Sequence, residues 1–387
     1  MYQSLINALK NEKAIDAFDM INIYQKRACK MPVLRPIIMM RKIQSNFVLK
    51  FILLVISLFW IVLFPAIMFL KLIKYTKQIN NQNYSFVKDN HNIIVATSSR
   101  IETVINGVDN DNVPNYYLEV PWVNVGEIKA TKISLMSILT VFDLLKVFAY
   151  TLKGLFVSFK DIKHPVEILQ TYVLFEYFML YIGLVKLQKE SFTSYWYSNH
   201  YDRWSVLLDS LGKSNTLLQH GFVSDKFKLP YRLKNIKQFY YIDEKSIDIF
   251  TSNIINFHEK ITVEQLKNTL KLKQVKDKNK SIFLISRPAQ LELDIELIEL
   301  LGSFDIIVYI KPHPKFSKEA YKQAFSKNKQ CVLIEENDFY PDVDLVVSGY
   351  STLAIEYELL GKQIIWIPEE TLESIKNKIK IFGDKNV

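Results

Sequence analysis

Polar side chains follow apolar runs in the C-terminal part of the chain, at the point where each run ends. The runs cover residues 281–285, 305–310, 344–347 and 363–367. Short apolar strands joined through amphipathic helices predict a parallel sheet that is buried on both faces. Ligands of open α/β sheets bind outside the carboxyl ends of the strands, where Arg287, His313, Ser351 and Thr352 fall. The sequence therefore predicts an anion-binding site at this edge.

The histidine of this set is held by prolines. His313 lies between Pro312 and Pro314, and Lys311 precedes them. Proline fixes φ on each side, so a stiff turn presents the imidazole. A rigid imidazole beside a lysine can donate hydrogen bonds to phosphate oxygens. The alternative is a histidine that only ends a strand.

The hydroxyl pair of this set precedes a predicted helix, residues 353–360. Ser351 and Thr352, with the free N–H groups at the helix start, would form an anion cradle that the helix dipole supports. The alternative is an ordinary N-cap. Glu356 lies one turn further on, on the face of Thr352, and could accept hydrogen bonds from a ribose or a base. A solvated helix glutamate is its alternative.

A second histidine ends a strand in the preceding part of the chain. Residues 216–218 run into Gln219-His220-Gly221, and the glycine lets a ligand approach the backbone. An imidazole at a strand end suits a general base that deprotonates a hydroxyl group. A structural histidine is the alternative, and Asp202 and Asp225 are less specific candidates for the base.

Four elements in this order carry a family resemblance. They are Gln219-His220-Gly221, Ser286-Arg287-Pro288, Lys311-Pro312-His313-Pro314 and the stretch from Ser348 to Glu356. The arrangement resembles the GT-B glycosyltransferases of bacterial surface-polysaccharide synthesis. That group includes the capsule sialyltransferases and polysialyltransferases, the capsule Kdo transferases and the CDP-glycerol glycerophosphotransferases of teichoic acid assembly.

The resemblance implies roles for single residues. His313 would bind the donor phosphate with Arg287 and Lys311, Ser351 and Thr352 would cradle it, and Glu356 would lie toward the nucleoside. These roles would go with two Rossmann-like α/β domains that face a cleft.

The residue before the glycine would be the catalytic base. His220 matches the catalytic His-Gly of the phosphotransferase and Kdo branches. The chain departs from the sialyltransferase branch, which has an acidic residue there, and from the phosphotransferases, which usually have a tryptophan before the histidine.

The implied activity is transfer of a sugar, such as a CMP-activated sialic-type sugar, from a nucleotide donor to a lipid-linked or oligosaccharide acceptor. The nucleotide sugar is a substrate, and no cofactor is implied. One alternative is a CDP-glycerol-type glycerophosphotransferase. The other is a non-catalytic scaffold of a polysaccharide assembly complex. Two Asp-X-Asp sequences, at Asp109 and Asp342, are poorly placed for a donor metal, so we expect no essential metal.

The chain of 387 residues has 49% hydrophobic residues and a formal net charge of +9. This composition excludes a disordered chain and allows two domains with an appendage. The predicted segments are a basic hydrophobic region at 1–85, an acceptor domain at 86–255 with a helical insertion, a connection at 256–280 and a donor domain at 281–387.

The basic N-terminal region favours a membrane surface over nucleic acid, because its charges alternate with large aliphatic residues. Residues 51–70 carry no charge and are long enough to span a bilayer, although Pro65 should interrupt a helix there. Residues 135–159 have the pattern of an interfacial helix. Interfacial attachment, a spanning helix and buried core helices remain open. The expected location is the cytoplasmic face of the bacterial plasma membrane.

Overall fold

The computed structural model describes residues 1–22, 47–80, 91–162, 165–256, 261–275, 280–286, 291–301, 306–312, 321–322, 330–336, 338–349, 351–367 and 371–384. The chain divides into two compact units, Met1–Lys267 and Asn268–Val387. Each unit is built on its own parallel sheet. The predicted α/β class with Rossmann-like units is confirmed.

The first unit holds a seven-stranded sheet in the order β3-β2-β1-β4-β5-β6-β7. The strands are β1 (Asn92–Ala96), β2 (Tyr116–Glu119), β3 (Thr131–Ser134), β4 (Ser194–Tyr197), β5 (Asn215–Leu218), β6 (Ile236–Tyr241) and β7 (Thr262–Gln265). All neighbouring strands are parallel. Strand order reverses between β1 and β4, the position at which an α/β sheet opens a crevice for ligands.

Helices cover this sheet and form one hydrophobic core with it. They are α1 (Tyr2–Asn22), α2 (Phe47–Thr76), α3 (Ile101–Ile105), α4 (Leu135–Ile138), α5 (Val141–Ser158), α6 (Leu174–Lys189), α7 (Arg203–Leu211) and α8 (Lys245–Asn253). Short 3-10 segments occur at Asn110–Asn112, Phe159–Asp161 and Pro165–Val173. α6 is buried on nearly every side, as expected of a helix that is apolar all round.

α2 has two different faces. Its inner residues recur every three or four positions and are buried; they are Ser57, Trp60, Phe64, Met68, Leu72 and Tyr75. Its outer face is exposed and apolar, with Val62 75% and Leu58 64% exposed. The helix runs unbroken through Pro65, so the predicted interruption there is wrong. Phe64 and Met68 are buried in the core on either side of the proline, and this packing favours the continuous helix.

α5 continues this exposed apolar surface. It packs beside α2, where Phe69 and Phe148 meet edge to face at 6.4 Å. Phe142 and Phe156 of α5 are 64% and 63% exposed. We call the outer residues of α2 and α5 the apolar face. By length and composition two segments could cross a membrane, Phe51–Thr76 and Glu167–Lys189, and the second is mostly buried in the protein.

α7 begins at a capping side chain and is followed by a glycine. The Asp202 side chain accepts hydrogen bonds from the backbone N–H groups of Trp204 and Ser205, so it is the N-cap. Gly212 follows the last turn with φ −75°, outside the left-handed region. A Cβ atom there would lie 1.9 Å from Oδ1 of Asn215, so close approach is the reason for the glycine.

The second unit holds a five-stranded parallel sheet in the order β11-β10-β9-β13-β14 and a separate pair, β12-β8. The strands are β8 (Lys273–Gln274), β9 (Ser281–Ile285), β10 (Ile307–Lys311), β11 (Cys331–Leu333), β12 (Pro341–Asp342), β13 (Leu345–Ser348) and β14 (Gln363–Trp366). Its longer helices are α9 (Leu291–Leu301), α10 (Thr352–Leu359) and α11 (Leu372–Asp384). Ile282 and Leu284 pack on one face of the sheet, and Phe283 and Ile285 pack on the other.

The segment predicted as a connection, 256–280, contributes to both units. Its residues Thr262–Gln265 form β7, and Lys273–Gln274 form β8. The two units meet in sequence between Lys267 and Asn268.

α1 is held against α7 by a buried ion pair. Nε and Nη2 of Arg203 donate to the two Glu12 carboxylate oxygens at 2.8 and 2.5 Å. The backbone N–H of Arg203 also donates to Glu12 at 3.0 Å. Both side chains are almost fully buried, so water cannot solvate either charge if its partner is removed.

We therefore expect Glu12→Gln to destabilise the protein by about 3–5 kcal/mol, because it leaves the guanidinium buried without its counter-charge. Asp109→Asn, which removes the exposed partner of Lys267, is the control and should cost less than about 1 kcal/mol. The measurement is urea unfolding of the full chain in detergent. Equal, small losses in both variants would contradict this role for Glu12.

Candidate functional site

His220 lies directly after β5, at the carboxyl edge of the first sheet. Its Nδ1 is hydrogen-bonded to the backbone carbonyl oxygen of Ser198. A carbonyl oxygen only accepts, so Nδ1 carries the proton and Nε2 of the neutral ring keeps its lone pair. The residue keeps some exposure to solvent, although its ring is largely desolvated. The ring is thus fixed in the tautomer that can accept a proton at Nε2.

His200 supports this position, and the sequence analysis missed it. The backbone N–H of His220 donates to Nε2 of His200 at 3.1 Å, and the two rings lie 4.3 Å apart. The His200 ring also hydrogen-bonds to the Leu218 backbone carbonyl, and Nδ1 is the nitrogen that remains to donate to it. The available signal was the run Ser198-Asn199-His200 directly after an apolar strand.

Burial lowers the pKa of both histidines. Loss of water lowers the pKa of His220 to about 4, and the nearby Arg100 guanidinium acts in the same direction. The pKa of His200 is well below its ordinary value, because the ring is buried and lies beside His220. Both rings are therefore neutral near pH 7, and His220 is in the state that a general base requires.

Hydrogen bonds tie the ends of β1 and β4 together where the strand order reverses. The Thr97 hydroxyl donates to Oδ1 of Asn199 at 2.8 Å, and the Asn199 amide donates to Asp202 at 2.5 Å. Asp202 is thus occupied by Asn199 and by the start of α7. Asp225, the other secondary candidate for a base, is exposed and accepts weakly from Ser224 at 3.4 Å.

Gln219 fixes the strand end from the other side. Its side-chain oxygen accepts from the Ile242 backbone at 2.8 Å, and its amide donates to Ser246 at 2.8 Å. The residue is fully buried, so it positions its neighbour His220.

In the second unit the strand register brings Lys311, a predicted site residue, level with the last residue of β13. Ile285 of β9 pairs with Lys311 of β10 on one side and with Ser348 of β13 on the other. The Lys311 ammonium donates to the Phe339 carbonyl at 3.0 Å and lies 3.9 Å from the centre of the Tyr340 ring. The other two basic residues of the predicted site, Arg287 and His313, lie outside the described residues.

Ser351 is the N-cap of α10. Its hydroxyl accepts from the Ala354 backbone at 3.1 Å and lies 3.3 Å from the Ser348 hydroxyl. Thr352 is the first helical residue. The ordinary N-cap role is therefore present, and the helix start that would cradle an anion lies at the carboxyl end of β13, beside the strand reversal between β9 and β13.

Glu356 is not a solvated helix glutamate. Burial raises the pKa of its carboxyl group to about 7. The Asn268 amide donates to the Glu356 backbone carbonyl at 2.7 Å, which holds this turn of α10. Near neutral pH the carboxyl group is partly protonated, so it could donate as well as accept a hydrogen bond.

The two Asp-X-Asp sequences are engaged elsewhere. Asp109 pairs with Lys267, and Asp342 pairs with Lys362 at 2.5 Å and accepts from Gln274 at 2.7 Å. Among the described residues no group of three His, Cys, Asp or Glu side chains could hold a metal ion. Independence of metal remains a prediction.

Comparison with known proteins gives a likeness of fold. No protein-family model matches the chain, and no curated protein sequence matches it. Among solved structures, one of the wall teichoic acid polymerase TagF, a histidine-to-asparagine variant soaked with CDPG, is similar to it. The identity is 12%, the TM-score is 0.39, and the match covers 75% of this chain and 73% of the TagF chain.

The buried carboxyl group generates a pH prediction. The folded pKa of Glu356 is raised, so its contribution to stability is complete below the ordinary value of 4.5 and is lost as the pH rises through about 7. We expect Glu356→Gln to be nearly neutral at pH 4.5 and to stabilise the protein by about 2–3 kcal/mol at pH 8.5.

The measurement is denaturant unfolding at both pH values. Glu358→Gln changes an exposed glutamate of the same helix and should show no such pH dependence. If the effect of Glu356→Gln did not depend on pH, burial would not be raising the pKa of this carboxyl group.

Proposed function

We propose that the protein is a transferase that moves a glycosyl or glycerophosphoryl group from a cytidine nucleotide to an acceptor hydroxyl group. His220 is the general base in the first unit. The second unit binds the donor through Lys311, Ser351, Thr352 and Glu356. The sequence pattern predicts that Arg287 and His313 also bind it.

The observation that carries the proposal is the fixed tautomer of His220. In a neutral imidazole whose one nitrogen donates to a backbone carbonyl, the other nitrogen can accept a proton. Here Nδ1 is fixed by Ser198 and the ring is neutral, and Nε2 is the nitrogen that would face a substrate. His200 and Gln219 hold the strand end from two sides, so the ring has little freedom to turn away.

The chemistry has the same first step for both donors. Nε2 of His220 takes the proton of the acceptor hydroxyl as its oxygen forms the new bond. With a CMP-linked sugar the oxygen bonds to the anomeric carbon and the sugar–phosphate bond breaks. With CDP-glycerol it bonds to the glycerol-bearing phosphorus and the phosphoanhydride bond breaks. CMP leaves in both cases, and basic and hydroxyl groups stabilise its growing charge.

A non-catalytic scaffold is the competing interpretation. A scaffold has no need of a desolvated, neutral histidine held by backbone and side-chain hydrogen bonds. Nor does it need a carboxyl group with a pKa of about 7 near the start of α10. Perturbed groups of this kind are typical of functional sites.

We also propose that the apolar face lies on the cytoplasmic surface of a bacterial plasma membrane. Exposed apolar surfaces of this extent are unusual in soluble monomers. Lys146 and Lys153 of α5 are exposed among its apolar residues, and Lys74 and Lys77 lie at the end of α2. Lysines at the edge of an apolar surface suit anionic headgroups. Attachment there would bring the site to a lipid-linked acceptor.

The catalytic role is tested by His220→Ala, which should lower CMP release by about 10²–10⁴-fold, because a general base contributes that much. CMP release is measured with CDP-glycerol and with a CMP-linked sugar, using bacterial membranes as the source of acceptor. CMP binding should stay unchanged, because the donor residues lie in the other unit.

His91→Ala is the matched control, since His91 is exposed in the same unit. Full activity of His220→Ala would remove His220 from the mechanism and make Asp202 or Asp225 the next candidate. No CMP binding by the unmodified protein would favour the scaffold.

Membrane attachment is tested by Val62→Asp, which puts a charge at the most exposed valine of the apolar face. Sedimentation with vesicles that contain anionic lipid should fall several-fold, because a charge in the apolar boundary is costly. Val332→Asp, at an exposed valine of the second unit, is the control and should leave binding intact. Equal binding by the two variants would contradict attachment through α2.

A further inference from the structure

A polar pocket of about 610 Å³ opens in the first unit, away from His220. It is lined by Gln78, Asn80, Glu119, Pro121, Lys132, Ser134, Met136 and Ser137. Glu119 ends β2 and Ser134 ends β3, and the two residues are paired in the sheet register. Its volume is within the range of about 300–1,000 Å³ that is usual for ligand sites.

The chemistry of the lining favours a neutral, polar ligand. Lys132 and Glu119 form an ion pair at 2.7 Å, so the two charges of the pocket cancel. The remaining polar groups are two amides, from Gln78 and Asn80, and the hydroxyls of Ser134 and Ser137, of which Ser137 donates to the Ser134 carbonyl at 2.6 Å. Amides and hydroxyls both donate and accept hydrogen bonds, which matches the hydroxyl groups of a sugar or polyol. A phosphate would meet Glu119 as well as Lys132.

The sheet register fixes how far this pocket is from His220. Glu119 pairs with Ala96, and the registers of β1 with β4 and of β4 with β5 put Leu218 at the same level. β2 and β5 are three strand positions apart. At about 4.8 Å for each position the separation is roughly 14 Å, and His220 lies two residues beyond Leu218. The pocket and the base therefore open on one edge of one sheet.

An aromatic pair joins the loop after β2 to the first turn of α7. Trp122 follows Pro121 of the pocket, and Trp204 lies in the first turn of α7, after β4. Their rings stack with centroids 5.3 Å apart. Both side chains are partly exposed. An indole face suits the apolar face of a sugar ring, and its edge N–H can donate to a hydroxyl group.

We propose that this pocket is an acceptor subsite for a neutral glycan or polyol segment, and that the Trp122–Trp204 pair leads from it toward His220. The proposal rests on the proposed transferase function, since it assigns the part of the acceptor that does not react. Binding of remote parts of a substrate can be used to orient the reacting group. An acceptor held in the pocket would place a hydroxyl group one or more residues further along at His220.

The test measures binding of saccharides to the full chain without any donor. Maltose, maltotetraose, chitobiose, chitotetraose and ribitol serve as neutral probes, and glycerol 3-phosphate and glucose 1-phosphate serve as anionic ones. Saturation-transfer NMR on the detergent-solubilised protein reports which of them bind. Gln78→Trp fills the pocket from an exposed position at the end of α2, and Gln3→Trp puts the same side chain at an exposed position of α1.

We expect a neutral probe to give signals that Gln78→Trp abolishes and Gln3→Trp retains. Trp204→Leu should weaken the tetrasaccharide more than the disaccharide, because only the longer probe reaches the indoles. Binding of anionic probes alone, no binding of any neutral probe, or equal signals in the two tryptophan variants would each overturn the proposal. CMP binding, measured on the same samples, reports separately on the transferase function.

Discussion

The arrangement of the first unit depends on the register of its parallel strands. β2, β1, β4 and β5 are aligned so that Glu119, Ala96 and Leu218 end at one level. Because side chains alternate between the two faces of a sheet, a slip of one residue in any pair would exchange the side chains that pack on the two faces. The register is held by continuous burial on both faces, and the polar residues that follow each strand are brought together as a result.

The strand ends are fastened by side chains in addition to the backbone ladder. Thr97 reaches Asn199, Asn199 reaches Asp202, and Gln219 reaches across to β6. These bonds satisfy polar groups that would otherwise be buried without partners. At the same edge the Ser198 carbonyl commits one nitrogen of His220. The same residues therefore contribute to the stability of the fold and to the geometry of the site. A variant that removes one of these hydrogen bonds should lower both stability and activity.

Much of the fold could be predicted from the sequence, because it depends on local patterns. The strand before Gln219 and the helix from Arg203 to Leu211 follow from apolar runs and from the Asp202 cap. β7 escaped prediction because Val263 is exposed on an edge strand, where no apolar run is required. The continuity of α2 through Pro65 was not predicted, because it depends on tertiary packing that cannot be read from the local sequence.

The candidate site was predictable only in part. His220 was visible because it stands between an apolar strand and a glycine. His200 was not, since its importance comes from a contact with a residue twenty positions away. Glu356 was placed on the right helix, but its burial depends on neighbours such as Tyr340 that the sequence does not bring together. Long-range neighbours, and not residue types, decide which polar groups are perturbed.

The inner face of α2 has a consequence for how the chain is made. Trp60 donates to Thr171, and the buried Lys71 pairs with Glu176, so these partners follow Trp60 and Lys71 by 111 and 105 residues. At roughly 5–20 residues per second the ribosome needs about 5–20 s to supply them. During that interval both faces of an apolar helix are uncovered. During synthesis, α2 therefore needs a lipid surface or a chaperone to cover it until the rest of the first unit has folded around its inner face.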